Sequence, residues 1–242
     1  MLLKTRGIVL HARKYGESSL ICEVFTEARG LRRYIIGGVR KPKARISAAL
    51  LQPMSILDMV VYHHDDRDLT RIKEIQPALL YRQIPFDVRK GAVGLFLVEV
   101  IRKVLHDSEE NPELFQLVFE TFRFLDATPH PVANLHLQFL LELSALLGFR
   151  PEGGFAATHP IFDLQEGRFR PQPPPHPHYL EGEMCRHFDA LLHASRESCH
   201  TLALSREARK TLLRALLDFY RLHLEHFKGV RSHLVLEAVL GK

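Results

Sequence analysis

The chain has 242 residues, with 33 Lys and Arg against 28 Asp and Glu for a formal charge of +5, and it is 46% hydrophobic and 25% charged. That balance excludes a disordered or fibrous chain and suffices for one large domain or two small ones, each with a real core. No apolar run approaches the roughly 18 residues that a membrane-spanning helix needs, and three cysteines without C-x-x-C spacing (Cys22, Cys185, Cys199) argue against a disulfide scaffold and for a reducing cytoplasm.

The first residues, Met1 to Arg6, are charged where the apolar stretch of an export signal would begin, so none is expected. Five short segments rich in Ile, Val, Leu, Tyr and Phe then predict strands: Leu2 to Ala12, Ser19 to Thr26, Leu31 to Gly37, Ser55 to His63 and Leu69 to Gln76. Turn chemistry separates them at Tyr15-Gly16-Glu17, Ala28-Arg29-Gly30, Gly37-Gly38 and His64 to Arg67. Five strands in about 75 residues fit a small barrel of the OB type. After Gln76-Pro77 the period becomes helical. One helix is expected within Phe86 to His106. Asn111-Pro112-Glu113 supplies an N-cap, a first-turn proline and an early acid for a second, with Leu114, Val118, Phe122 and Leu125 inward. Asn134 to Leu147 is apolar on most sides and stops at Gly148. Ser205-Arg206-Glu207 starts a further helix, and a last one runs to about Leu240. Between them, the irregular residues 149–179 hold Gly153-Gly154 and the proline cluster Pro171 to Pro177; that cluster cannot be helix and reads as an exposed polyproline-like arm or cover, more often a stiff connector than a docking ligand for a proline-reading partner. The expected fold is α+β: an OB-fold barrel over 1–78, followed by an all-helical domain over 79–242.

Charge divides along the same line. Residues 1–50 carry eleven bases and three acids, a balance of +8, and the remainder is −3. A basic leading domain points to a polyanionic partner, with a merely solvated basic face as the alternative. Within Leu31 to Ile36, Arg33 and Ile35 share one face of a strand, and Arg32 and Tyr34 the other. Single-stranded nucleic acid needs cations for phosphates and aromatic platforms for bases. The candidates are Arg32, Arg33 and Tyr34 on this strand, Arg40, Lys41, Lys43 and Arg45 after it, and Arg13 and Lys14 at the rim. For each base the alternative is a solvated surface charge. For Tyr34 it is a place in the core.

Signals for other chemistry are weak. No phosphate-binding G-x-x-x-x-G-K-[ST], dinucleotide-binding G-x-G-x-x-G, H-E-x-x-H or G-x-S-x-G motif occurs. His63-His64-Asp65-Asp66 reads as a polar turn before it reads as a metal site. Cys185, His187, His193, Cys199 and His200 are residue types that zinc accepts, in a spacing that matches no zinc module, and they read as a buried thiol beside surface histidines before they read as a zinc site. A metal-dependent hydrolase built on residues 185–200 is therefore the runner-up, and a sequence-specific double-stranded DNA-binding regulator is a second rival.

An ordered set of residues in the first fifty carries a resemblance: Gly7-Ile8-Val9-Leu10, Tyr15-Gly16-Glu17-Ser18-Ser19-Leu20, Val24-Phe25-Thr26, Gly30-Leu31 and Gly37-Gly38-Val39-Arg40, continued by Leu51-Gln52-Pro53. The sequence resembles the RecO family of bacterial recombination mediators. Looser agreement at Leu147-Gly148-Phe149-Arg150-Pro151 and Tyr220 to Leu224 extends the likeness over nearly the whole chain. The resemblance implies an OB-fold and a helical domain, and a DNA repair protein, not an enzyme, in the cytoplasm with the nucleoid. It further implies binding of single- and double-stranded DNA, annealing without ATP, and partnership with RecR in loading RecA. The acidic, apolar C-terminal tail of single-stranded DNA-binding protein is a further implied partner. Such a tail needs a groove with a cationic rim, for which Arg102, Lys103, Arg123, Arg209 and Arg214 are candidates on helical faces, with ordinary surface charge as the equal alternative for each. Many members carry a four-cysteine zinc site after the L-G-[FY]-x-P segment. Residues 150–179 contain no cysteine, so zinc is not carried over and no cofactor is expected.

Overall fold

The computed structural model describes residues 1–39, 41, 46–64, 67, 69–105 and 110–241. The chain forms two compact units, Met1–Phe86 with Leu105–Ala127, and Asp87–Val104 with Thr128–Lys242.

In the first unit β1 (Leu2–Tyr15), β2 (Ser19–Thr26), β3 (Gly30–Ile36), β4 (Ile56–Tyr62) and β5 (Leu69–Pro77) close into a barrel in the order β1-β2-β3-β5-β4. Neighbours are antiparallel except β3 and β5, which run parallel and are joined through the crossover that contains β4. This is the five-stranded OB-type barrel expected from the strand count. Alternation along each strand sends one set of side chains inward. Val9, Cys22, Val24, Tyr34, Ile36, Leu57, Met59 and Val61 fill the interior, and Leu51 from the β3–β4 connection closes one end. At Gly7 the strands come too close for a side chain: a Cβ there would sit 2.5 Å from Met59 Cε and 2.6 Å from Val24 Cγ1.

A helix also belongs to this unit. Following the order of the chain, α1 (Val88–Val104) lies in the second unit and α2 (Pro112–Ala127) in the first. The Asn111 side chain caps α2 by accepting from Leu114 N at 2.9 Å, as its sequence predicts. The apolar stripe of α2 covers part of the barrel's outer surface. Phe115 meets Phe25 with ring centroids 5.5 Å apart, and the Arg6 guanidinium lies 4.8 Å from the Phe119 ring centre. Arg6 is also bound to Glu27 at 2.6 and 2.9 Å. At the far end of α2 the buried Asp126 carboxylate accepts from the backbone N–H groups of Arg82, Gln83 and Ile84 at 2.8–3.1 Å, tying down the chain that leaves β5.

The second unit is built on helices α1, α3 (Leu135–Leu146), α4 (Gly182–His193), α5 (Arg206–His223) and α6 (His233–Val239). Ser205 caps α5 by accepting from Ala208 N, and Gly148 follows α3 in the left-handed region at φ +86°. α3 is buried on nearly every side, and Tyr220 of α5 donates to Leu140 O at 2.6 Å within this core. Glu99 of α1 accepts from Arg231 N and Ser232 N at the start of α6. Burial opposes the charge of Glu99, but these donors and the Ser232 hydroxyl outweigh it and hold the carboxyl below its ordinary range.

One region of this unit departs from the expected all-helical character. Residues 149–179 hold more than irregular chain: β6 (Ile161–Asp163), β7 (Arg168–Arg170) and β8 (Tyr179–Leu180) form a three-stranded antiparallel sheet in the order β7-β6-β8. The proline cluster is the connection from β7 to β8, and Pro174 within it is buried. The reason is Asp163, fully enclosed at the end of β6. Its carboxylate accepts from Gln165 N, Glu166 N and Arg170 Nη1 at 2.7–3.2 Å, and His176 Nε2 stands 3.4 Å away. One buried acid thus gathers a turn, a strand and the proline segment.

Candidate nucleic-acid interface

The barrel register decides which bases face outward. On β2 and β3, Cys22 pairs with Tyr34 and Val24 with Arg32, so these four share the inward side, and Glu23 with Arg33 and Ile21 with Ile35 share the outward side. Tyr34 is 3% exposed and belongs to the barrel core, where burial raises its hydroxyl pKa to about 12. The expectation that Tyr34 offers a stacking platform is therefore corrected: of its two readings, the core holds. Arg32 has the same inward parity and is half-buried. Arg33 faces out and is exposed.

Neighbouring strands extend the outward side into rows. Arg13 of β1 pairs with Ile21, Ile21 with Ile35, and Ile35 with Arg71 of β5. The adjacent row is His11, Glu23, Arg33 and Leu69. Four strands at about 4.8 Å spacing put the Cα atoms of Arg13 and Arg71 roughly 14 Å apart. Arg13, Arg33 and Arg71 are exposed, and Glu23 is the acid among these two rows. Farther along β1 on the same side, Tyr15 is 53% exposed beside the β1–β2 turn. α2 covers the other end of this side through Phe25; within the rows the three arginines are exposed, while Ile21 between them is 5% exposed.

Other predicted residues fall around the rows. Lys14 and Lys41 are exposed, Lys41 in the turn after β3, where its N–H bonds Gly38 O at 3.1 Å. Arg40, Lys43 and Arg45 lie outside the described residues, as do Asp65 and Asp66 of the polar turn. Sequence reasoning passed over Arg71, in a strand identified for its apolar residues, and Tyr15, read as turn chemistry. No signal within either strand could have placed them on this face, because that depends on the pairing between strands and on the irregularity between Val9 and His11.

Where β4 lies between β1 and β5, the outward rows are Lys4, Val60 and Glu74, and Arg6, Asp58 and Gln76. Bases there alternate with acids, so that side has no comparable surplus.

The second unit carries a different cationic feature. A recess of about 40 Å³ is walled by Leu213, Leu236 and Leu240 of α5, α6 and the residues just beyond, with His136 of α3 also lining it. Arg206, Arg209, Lys210 and Glu237 complete the lining. His136 is buried, its Nδ1 has no hydrogen-bond partner, and burial with the nearby Arg209 charge lowers its pKa to about 3. Arg209 Nη1 donates to Leu204 O at 2.6 Å and Arg206 Nη1 to Gly241 O at 3.2 Å. Of the five bases considered for a groove rim, Arg209 lines this recess, and Arg214 stands 3.9 Å from its Glu237.

The residues 185–200 do not assemble into a metal site. Cys185 and Cys199 are buried, and burial pushes both thiols up to about 11. Cys199 Sγ bonds Arg196 O, and His193 turns to Asp189 of its own helix. Among the described residues, no group of three or more His, Cys, Asp or Glu side chains is arranged to hold a metal ion. The hydrolase alternative loses its site.

Comparison with known proteins agrees with this architecture. The family model described as "Recombination protein O N terminal" matches residues 1–81, which span the barrel, and "Recombination protein O C terminal" matches 85–232. The protein of Phocaeicola vulgatus named DNA repair protein RecO is 31% identical over 241 residues, covering 100% of each chain. Proteins of the same name from Bacteroides fragilis and Christiangramia forsetii are each 32% identical, over 98% and 100% of both chains respectively. With both family models matched in order and relatives alike from end to end, the chain belongs to the RecO family.

Proposed function

We propose that this protein is a recombination mediator of DNA repair that acts without catalysis of its own. It binds single- and double-stranded DNA through the barrel, anneals complementary strands without ATP, and works with RecR to load RecA onto DNA coated with single-stranded DNA-binding protein. The observation that carries this reading is the barrel side with exposed Arg13, Arg33 and Arg71 in a RecO-family chain whose relatives are named for DNA repair. Exposed cations spaced across a sheet neutralise phosphates without reading bases, which suits a protein that handles any strand. Arg13 and Arg33 belong to this side, Lys14, which has the opposite parity on β1, and Lys41 are exposed bases at its rim, and Arg40, Lys43 and Arg45 join it on sequence alone. The DNA-binding module is 1–78 and the helical domain 79–242. Its place is the cytoplasm, with the nucleoid; among the described residues no helix is long and apolar enough to cross a membrane.

The tail of single-stranded DNA-binding protein is assigned to the helical unit. What supports this is the recess at Leu213, Leu236 and Leu240, which joins apolar walls to arginines and a lysine, the pairing an acidic, apolar segment requires.

An annealing assay tests the whole reading. Complementary strands coated with single-stranded DNA-binding protein are followed without ATP, using that protein with and without its tail. Acceleration that depends on the tail is expected. No acceleration in either case overturns the mediator reading.

A further inference from the structure

We propose that Arg71 and Tyr15 complete the single-strand site: Arg71 as its phosphate contact on β5, and Tyr15 as the aromatic platform that Tyr34 cannot be. The assignment rests on the reading of the barrel as a DNA-binding module and specifies which side of it does the binding.

The rows place Arg71 at one edge of a face that begins at Arg13, with the side chains of Ile21 and Ile35 between them. Arg33 lies in the adjacent row, one strand from Arg71. Three guanidinium groups therefore stand on three strands of one surface, and Glu23 is the acid between the two outer columns. A single strand laid across the β-strands meets cations at both margins. Tyr15 lies two residues beyond Arg13 on the same side of β1, and it is 53% exposed, within reach of a base. It is the exposed aromatic of this side among the described residues. Alternation forbids Tyr34 from sharing it, because Tyr34 pairs with the inward Cys22.

The test is anisotropy of a labelled oligothymidylate titrated with the full chain over a series of salt concentrations. Arg71→Ala is expected to flatten the log–log salt slope by about 0.7, the value for one phosphate contact on a single strand, and Arg71→Lys to keep it. Lys4→Ala removes the same charge from a different set of rows, where Lys4 shares its row with Val60 and Glu74, and leaves the slope as it was. Tyr15→Ala is expected to weaken binding roughly fivefold or more with an unchanged slope, and Tyr15→Phe to restore it. A slope for Arg71→Ala equal to that of the unaltered chain overturns the Arg71 assignment, and affinity for Tyr15→Ala equal to it overturns the platform. Failure of the unaltered chain to bind at all overturns the DNA-binding reading itself.

Discussion

Both compact units present arginines, and they present them in opposite ways. On the barrel, Arg13, Arg33 and Arg71 stand exposed on the outward positions of β1, β3 and β5. In the helical unit, Arg206 and Arg209 are tied to backbone carbonyls around a small apolar recess with a buried histidine at its lining. A flat array of free cations favours a repeating polyanion and is indifferent to its sequence. Cations fixed around a hole favour one short anionic segment with an apolar part. The same residue type thus serves two kinds of recognition, and the backbone beneath it makes the difference.

The largest effect expected concerns which side of β3 faces in. Tyr34→Ala should cost about 3–5 kcal/mol of stability, as for other large core aromatics, read as a lowered urea midpoint. Should that variant instead keep its stability and lose oligonucleotide binding, the inward assignment of Tyr34 is wrong.

The next effect sharpens the helical side of the comparison. His136 has a pKa lowered from 6.5 to about 3 by burial and by Arg209. The unfolded chain binds a proton at this residue between those values and the folded chain does not, so its contribution is complete above pH 6.5 and is lost as the pH falls. The steepest slope is about 1.4 kcal/mol per pH unit. Thermal midpoints measured from pH 7 to 5 should fall less in His136→Leu than in the unaltered chain. Equal slopes would mean that the imidazole is not enclosed.

A smaller effect separates the two surfaces. Leu240→Asp places a negative charge at the recess and should weaken binding of an acidic, apolar tail peptide roughly tenfold, about 1.4 kcal/mol. Oligonucleotide binding should stay as it was. A parallel loss of both would mean that the two features act as one site.

Local chemistry made much of this fold legible. β2 is predicted to its end residues, because Ser19 and Thr26 border an apolar run between two turns. Asn111 and Ser205 cap the helices that follow them, and Gly148 ends α3, since these depend on contacts within a few residues. The sheet β7-β6-β8 left no such trace. Its strands are two or three residues long, and it is assembled around Asp163, whose Arg170 and His176 partners are brought in by the chain's path. The membership of α2 in the barrel unit was equally silent, because an apolar stripe states that a helix is covered and not by what.

By itself, then, the sequence determined a five-stranded barrel, a basic leading segment, a helical remainder and the RecO likeness, all matters of short-range pattern. It also paired Arg33 with Ile35 and Arg32 with Tyr34, since strand side chains alternate. Which pair meets water was settled only in the tertiary structure. That choice depends on the registers of β2 and β5 against β3, and on the irregularity between Val9 and His11 that resets the parity of β1. A shift of one residue exchanges the two sides of a strand, and no single strand records its own register.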